Sequence, residues 1–156
     1  MRSAFSRLLR RFQPGAGRLE LRNLMTGNPP VVVNGALIEI IAPLPTGNRA
    51  EIHPDSAGGA FDITVNGQAF QVPSTGIQAV YYAGSFGGQD TFVNSTNLLA
   101  IDYGWGGGNN FLTAGTGPTY AFLFGGGNTF AVSAGDFGVA YTHGGHDNIG
   151  EGILVF

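Results

Sequence analysis

The C-terminal half of this chain has a 19-residue period, and four copies align without insertion or deletion. Gly87-Gly88-Gln89-Asp90-Thr91-Phe92 is followed by Gly106-Gly107-Gly108-Asn109-Asn110-Phe111. Then come Gly125-Gly126-Gly127-Asn128-Thr129-Phe130 and Gly144-Gly145-His146-Asp147-Asn148-Ile149. Other columns keep step: Phe86, Trp105, Phe124 and His143; Tyr82, Ile101, Tyr120 and Val139; Val80, Leu99, Pro118 and Phe137, with Phe156 falling under Phe137. A fixed period of this length punctuated by glycine turns means one coil per repeat, stacked on its neighbour, because one coil cannot bury its own apolar face. The expected fold is all-β: a C-terminal parallel β-solenoid over 77–156, β-roll-like, of about four 19-residue coils, preceded by short strands and hairpins.

The physics of such a coil sets the expected packing. Tyr120, Phe122 and Phe124 alternate along a strand and so share one of its faces. The glycines let the backbone turn through positive φ. The next apolar residue (Phe92, Phe111, Phe130, Ile149) then points back inward as one buried column. Stacking at about 4.8 Å places like over like and builds aromatic ladders. Those ladders are expected in the core; facing outward, they would offer sugar rings a surface.

Upstream, residues 28–76 form a region of short strands that caps the solenoid. Val31-Val32-Val33 and Ala36-Leu37-Ile38-Glu39-Ile40-Ile41 flank Asn34-Gly35; Asp62-Ile63-Thr64-Val65 and Gln68-Ala69-Phe70-Gln71-Val72 flank Asn66-Gly67. Asn-Gly accepts the two positive φ values of a hairpin turn whose twist suits the strands beside it. Residues 1–27 are a basic tail or targeting segment, in which Met1, Phe5, Leu8, Leu9 and Phe12 fall at helical spacing before Pro14-Gly15. The segment is too short and too broken by arginine for a membrane span.

Charge narrows the partners. The chain has no lysine, and six of its seven arginines lie between Arg2 and Arg22. Residues 23–156 hold nine acids against Arg49, a net charge of −8. Such a body repels phosphates, which argues against nucleic acid, and it favours cations. With no cysteine, disulfides and thiolate metal sites are excluded.

The segment Gly87-Gly88-Gln89-Asp90-Thr91-Phe92 and its three copies resemble the haemolysin-type calcium-binding (RTX) repeats, whose nonapeptide is G-G-x-G-x-D-x-U-x with U a large apolar residue. The resemblance covers roughly 76–156. The fourth-position glycine is kept as Gly88, Gly107, Gly126 and Gly145, and the Asp position reads Asp90, Asn109, Asn128 and Asp147. Arg18-Leu19-Glu20-Leu21-Arg22-Asn23-Leu24 is similar to a segment near the N-terminus of some exported members. The chain departs from the family in its 19-residue coil, which has one Gly-Asp turn where the family has two nonapeptides. It departs also in the first position, which reads Ser85, Gly104, Leu123 and Thr142.

The resemblance implies an exported or cell-surface protein with Ca2+ held at Asp90, Asn109, Asn128 and Asp147. Two amides in place of carboxylates imply weak binding, because ligand charge sets much of calcium affinity. The alternative for this column is a ladder that only hydrogen-bonds its turns. His143, His146 and Asp147 show no third metal ligand, and His53 with Asp55 forms a loop pair. Asp90 and Asp147, three coils apart, stand about 14 Å from one another, too far for a glycosidase pair. The expected function is therefore a non-catalytic structural or interaction module. Its rivals are a module folded by Ca2+ and a carbohydrate-active β-helix enzyme. Self-association is expected through the edge of the C-terminal coil, since Ile153-Leu154-Val155-Phe156 offers apolar strand without lysine or proline.

Overall fold

The structure, a computed structural model, describes residues 29–133, 136–150 and 153–156. The basic segment 1–27 and the helix expected in it lie outside the described residues. Among the described residues there is no helix.

The strands are β1 (Val31–Asn34), β2 (Leu37–Ile41), β3 (Arg49–Pro54), β4 (Ala60–Val65), β5 (Gln68–Pro73), β6 (Ala79–Ala83) and β7 (Thr91–Asn94), followed by β8 (Leu99–Gly104), β9 (Asn110–Thr113), β10 (Thr119–Phe124), β11 (Thr129–Val132), β12 (Gly138–His143), β13 (Asn148–Ile149) and β14 (Ile153–Val155). They form two sheets. The first has the order β1-β2-β6-β8-β10-β12-β14 and the second β13-β11-β9-β7-β3-β4-β5. From β6 onward the chain alternates between sheets, and each strand pairs in parallel with the one a coil earlier. This is the expected β-solenoid.

The parallel stack starts earlier than the sequence period does. β2 pairs in parallel with β6, and β3 with β7. Arg49 sits opposite Thr91, an offset of 42, whereas Thr91 sits opposite Asn110 at an offset of 19. The extra length includes the antiparallel hairpin β4–β5, which pairs with β3 and covers the edge of the second sheet. β1 covers the edge of the first sheet in the same antiparallel way. The hairpin turns differ from each other. Asn66 and Gly67 both take positive φ, 50° and 83°, as an Asn-Gly turn requires. In the first hairpin Asn34 pairs with Leu37, so the connection is Gly35-Ala36, one residue later than expected, and Gly35 supplies the positive φ.

The core lies between the sheets. The second sheet contributes Phe92, Phe111 and Phe130, in register and fully buried, with Ile149 continuing the column. The first sheet contributes Ile38, Ile40, Val80, Tyr82 and Leu123 together with Ala100, Ala121 and Ala140, all fully buried, and Tyr82 stacks on Phe92 at 4.6 Å. Alternation along β10 puts Thr119, Ala121 and Leu123 inward and so turns Tyr120, Phe122 and Phe124 outward.

This corrects the expectation that the aromatic columns are core. Phe86, Trp105, Phe124 and His143 form an outward column, with Phe86 54% exposed. The column of Tyr82 and Ile101 also fails. β6 pairs with β8 at an offset of 20, so Tyr82 faces Asp102, and a slip of one residue reverses the side. Tyr82 is fully buried while Tyr81 takes the outward position. Phe156 does not lie under Phe137: β12 pairs with β14 at an offset of 15, and Phe156 stacks on Tyr141.

Candidate functional site

Two ladders run along the stack, one polar and internal, the other aromatic and external. The polar ladder holds the residues singled out as calcium ligands. The backbone N–H of each rung donates to the side-chain oxygen of the next. Asp90 N–H donates to Asn109 Oδ1 at 3.1 Å, Asn109 N–H to Asn128 Oδ1 at 3.1 Å, and Asn128 N–H to Asp147 Oδ1 at 2.9 Å. The amides reinforce it: Asn109 Nδ2 donates to Asn128 Oδ1 and to the Trp105 carbonyl, and Asn128 Nδ2 to Asp147 Oδ1 and the Gly125 carbonyl. Asp90, Asn109, Asn128 and Asp147 are thus one column, as their even spacing in the sequence required.

Sequence reasoning missed the first rung, Asn48. Its N–H and Nδ2 both donate to Asp90 Oδ1, at 2.8 and 2.9 Å. The signal was Gly47-Asn48, which matches Gly127-Asn128, but the inserted hairpin displaced it from the period. Asp90 also accepts at Oδ2 from the Ser85 N–H and hydroxyl. Buried and fully hydrogen-bonded, the Asp90 carboxylate is a structural anchor for the coil turn. Ca2+ requires six to eight oxygens. The Oδ1 atoms here already accept N–H groups, and among the described residues no cluster of three or more His, Asp or Glu is placed to hold a metal. One atom stands apart: the buried Asp147 Oδ2 has no hydrogen-bond partner. His143 leans on Phe124 at 6.4 Å, and His53 Nδ1 lies 3.1 Å from the Pro54 carbonyl oxygen.

The turns need glycine where coils touch. Gly107 takes φ +109°, and a Cβ there would stand 2.5 Å from the Gly126 carbonyl oxygen. Backbone therefore packs on backbone from one coil to the next.

The aromatic ladder occupies the outer face of the first sheet. Tyr103, Phe122 and Tyr141 stack with centroids 4.6 and 4.9 Å apart and interplanar angles of 11° and 7°. Phe156 continues the pile at 5.4 Å and is 69% exposed. A second column, two residues further along each strand, sets Trp105 against Phe124 at 6.1 Å, and Tyr103 joins the columns through Trp105 at 5.4 Å. At the spacings of Tyr103, Phe122 and Tyr141, rings about 3.5 Å thick keep their normals within about 45° of the stacking direction. Phe122 is therefore covered on both ring faces by its neighbours, while Phe156 at the end of the pile leaves one face open. Burial raises the Tyr103 hydroxyl above its usual pKa, and that of Tyr120 by burial and then by Tyr141.

The two outer faces differ. From β6 to β14 the outward positions of the first sheet carry no Asp, Glu or Arg; Glu39 on β2 marks where charge begins, accepting from Asn34 Nδ2. The second sheet turns outward Thr91, Asn110, Thr129 and Asn148 in one column and Val93, Leu112 and Ala131 in the next, with Arg49 paired to Glu51 and Gln71 bonded to Asp62 at its capped end.

A third polar feature lies inside. Asp102 is buried between the sheets, its carboxyl held well above the usual carboxylate range by desolvation. Its Oδ1 has no hydrogen-bond partner, nor has the Tyr82 hydroxyl. Burial, followed by the charges of Asp90 and Asp102, drives the Tyr82 pKa upward.

No helix among the described residues is long and apolar enough to cross a membrane. No protein family, curated protein or solved structure matches this chain.

Proposed function

We propose that this chain is a non-catalytic interaction module, exported or surface-associated, that binds its partner through the aromatic outer face of the first sheet. The observation that carries this reading is the asymmetry of the solenoid: one outer face mixes a polar column with an aliphatic one, while the other is an array of stacked rings from β8 to β14 without carboxylates. Soluble monomers seldom expose an apolar patch beyond a few hundred Å2 without using it. The export assignment rests on the resemblance to haemolysin-type repeats. A second reading, a calcium-binding module, is favoured by the unpartnered Asp147 Oδ2 at the last rung of the Asp/Asn column.

The test is the double variant Phe122→Thr/Tyr141→Thr in the full chain. The variant is expected to keep its β circular dichroism and melt cooperatively, yet lose retention on a phenyl-substituted matrix at low salt. Unchanged retention would remove the face from consideration as a contact surface. Loss of the fold would make the face a structural element instead.

A further inference from the structure

We propose that Asn34-Gly35 is a site of spontaneous deamidation and that the reaction releases β1 from the edge of the first sheet. The chain has two Asn-Gly turns, and both follow a valine: Val33-Asn34-Gly35 and Val65-Asn66-Gly67. Asn-Gly is prone to this reaction because glycine has no Cβ to shield its backbone nitrogen. Identical tripeptides have closely similar intrinsic reactivity, so a difference between the two sites is set by the fold.

The reaction needs only water. The Gly35 backbone nitrogen gives up its proton and attacks Asn34 Cγ. The N–Cγ bond forms, the Cγ–Nδ2 bond breaks, and ammonia leaves with the proton. Water then opens the cyclic imide at either carbonyl. The product is aspartate in the normal chain, or isoaspartate, whose backbone is longer by a methylene. Water is consumed, ammonia is released, and nothing is oxidised or reduced.

The fold leaves Asn34 free to react and holds Asn66 in place. The β1–β2 ladder ends at Asn34–Leu37, so Gly35 lies outside it. Asn34, Gly35 and Ala36 are exposed, and nothing lies within 4 Å of where a Gly35 Cβ would stand, which leaves room for the ring. Among the described residues the Asn34 side chain makes one hydrogen bond, a long one of 3.3 Å from Nδ2 to Glu39 Oε1. Asn66 is exposed as well, and the space beside Gly67 is equally open. Asn66 is clamped to the start of β3, however. Its N–H donates to the Arg49 carbonyl at 2.8 Å, its Oδ1 accepts from the Arg49 N–H at 2.8 Å, and its Nδ2 donates to Asn48 Oδ1 at 3.0 Å. Swinging Cγ onto the Gly67 nitrogen breaks both side-chain bonds, which slows the reaction by about tenfold or more.

The product at Asn34 disturbs the strand pair in two ways. A carboxylate replaces the amide that donated to Glu39, and like charges on neighbouring cross-strand positions repel. In isoaspartate the extra methylene also lengthens the turn that holds Val31 opposite Ile40 and Val33 opposite Ile38. Because β1 is the outermost strand of the first sheet, its release bares the edge of β2.

The experiment incubates the full natural chain in mildly alkaline buffer, folded in one arm and in guanidinium chloride in the other, and follows both sites by peptide mapping with mass spectrometry. In the folded arm, aspartate and isoaspartate should build up at Asn34 at least about tenfold faster than at Asn66. In denaturant, where the clamp is gone, the two rates should converge. Hydrogen exchange of the deamidated fraction should show β1 losing protection while β10 keeps it. Equal rates in the folded arm, a faster reaction at Asn66 or an unreactive Asn34 would overturn the proposal. A gap that persisted in denaturant would trace to neighbouring residues and overturn the assignment to the fold. Deamidation at Asn34 with β1 still protected would overturn the release of the strand.

Discussion

Tyr82 and Asp102 are register partners on β6 and β8, both turned into the core, and neither the tyrosine hydroxyl nor Asp102 Oδ1 has a hydrogen-bond partner. The next rungs at this position are Ala121 and Ala140. A carboxyl thus occupies a position that a methyl group fills elsewhere, at a cost of about 1–3 kcal/mol for an unsatisfied buried polar group.

Asp102→Ala should therefore stabilise the chain near neutral pH by about 1–3 kcal/mol, read as a rise in melting temperature. The pH dependence has a definite sign. The folded-state pKa of Asp102 lies above the usual 3.8, so the folded chain holds this proton more tightly than the unfolded one. Its contribution is complete below that usual value and declines as pH rises through the folded value. Melts from acid to alkaline pH should show this decline in the natural chain and a flatter profile in Asp102→Ala. Equal slopes would show that Asp102 is not the responsible group.

Inward and outward rings should differ in energetic weight. Phe111→Ala empties a fully buried site and should cost about 3–5 kcal/mol. Trp105→Ala removes an outer ring and should cost about 0.5–1.5 kcal/mol. Urea unfolding of the two variants makes the comparison, and a larger loss for Trp105→Ala would contradict the assignment of faces.

Gly107 and Gly127 both take positive φ, but only Gly107 meets a neighbouring coil. Gly127→Ala should cost about 1–2 kcal/mol for the left-handed backbone alone. Gly107→Ala adds a collision with the Gly126 carbonyl and should cost several kcal/mol or prevent folding. Comparable denaturation midpoints would mean that the coils can separate at this turn.

The polar ladder yields a prediction about calcium. In Asn109→Asp/Asn128→Asp the amide donors disappear and four carboxylates stack in one column with Asp90 and Asp147. Without metal the variant should melt well below the natural chain, because buried like charges repel. Added Ca2+ should restore much of the loss, since it supplies the opposite charge to a column of oxygens. Calorimetry of the natural chain should detect weak heat or none. Tight binding by the natural chain would make the Asn rungs working ligands.

The period, the glycine turns, the buried Phe92–Phe111–Phe130 column and the alignment of Asp90, Asn109, Asn128 and Asp147 are all legible in the residue spacing. These follow from spacing, because parallel stacking puts residues one period apart beside each other whatever else the chain does. The tertiary structure alone decided which way the rings of the first sheet point. Alternation says that Tyr120, Phe122 and Phe124 share a face, but not which face. The core takes Thr119, Ala121 and Leu123 from β10, and the alternate positions, which carry the three rings, are left outside. The inward turn of Tyr82 was hidden for a related reason. The repeat period holds step in the second sheet while β6 and β8 of the first sheet slip by one residue. Asn48 and its coil were concealed by the inserted hairpin, which adds length between paired strands without disturbing their pairing.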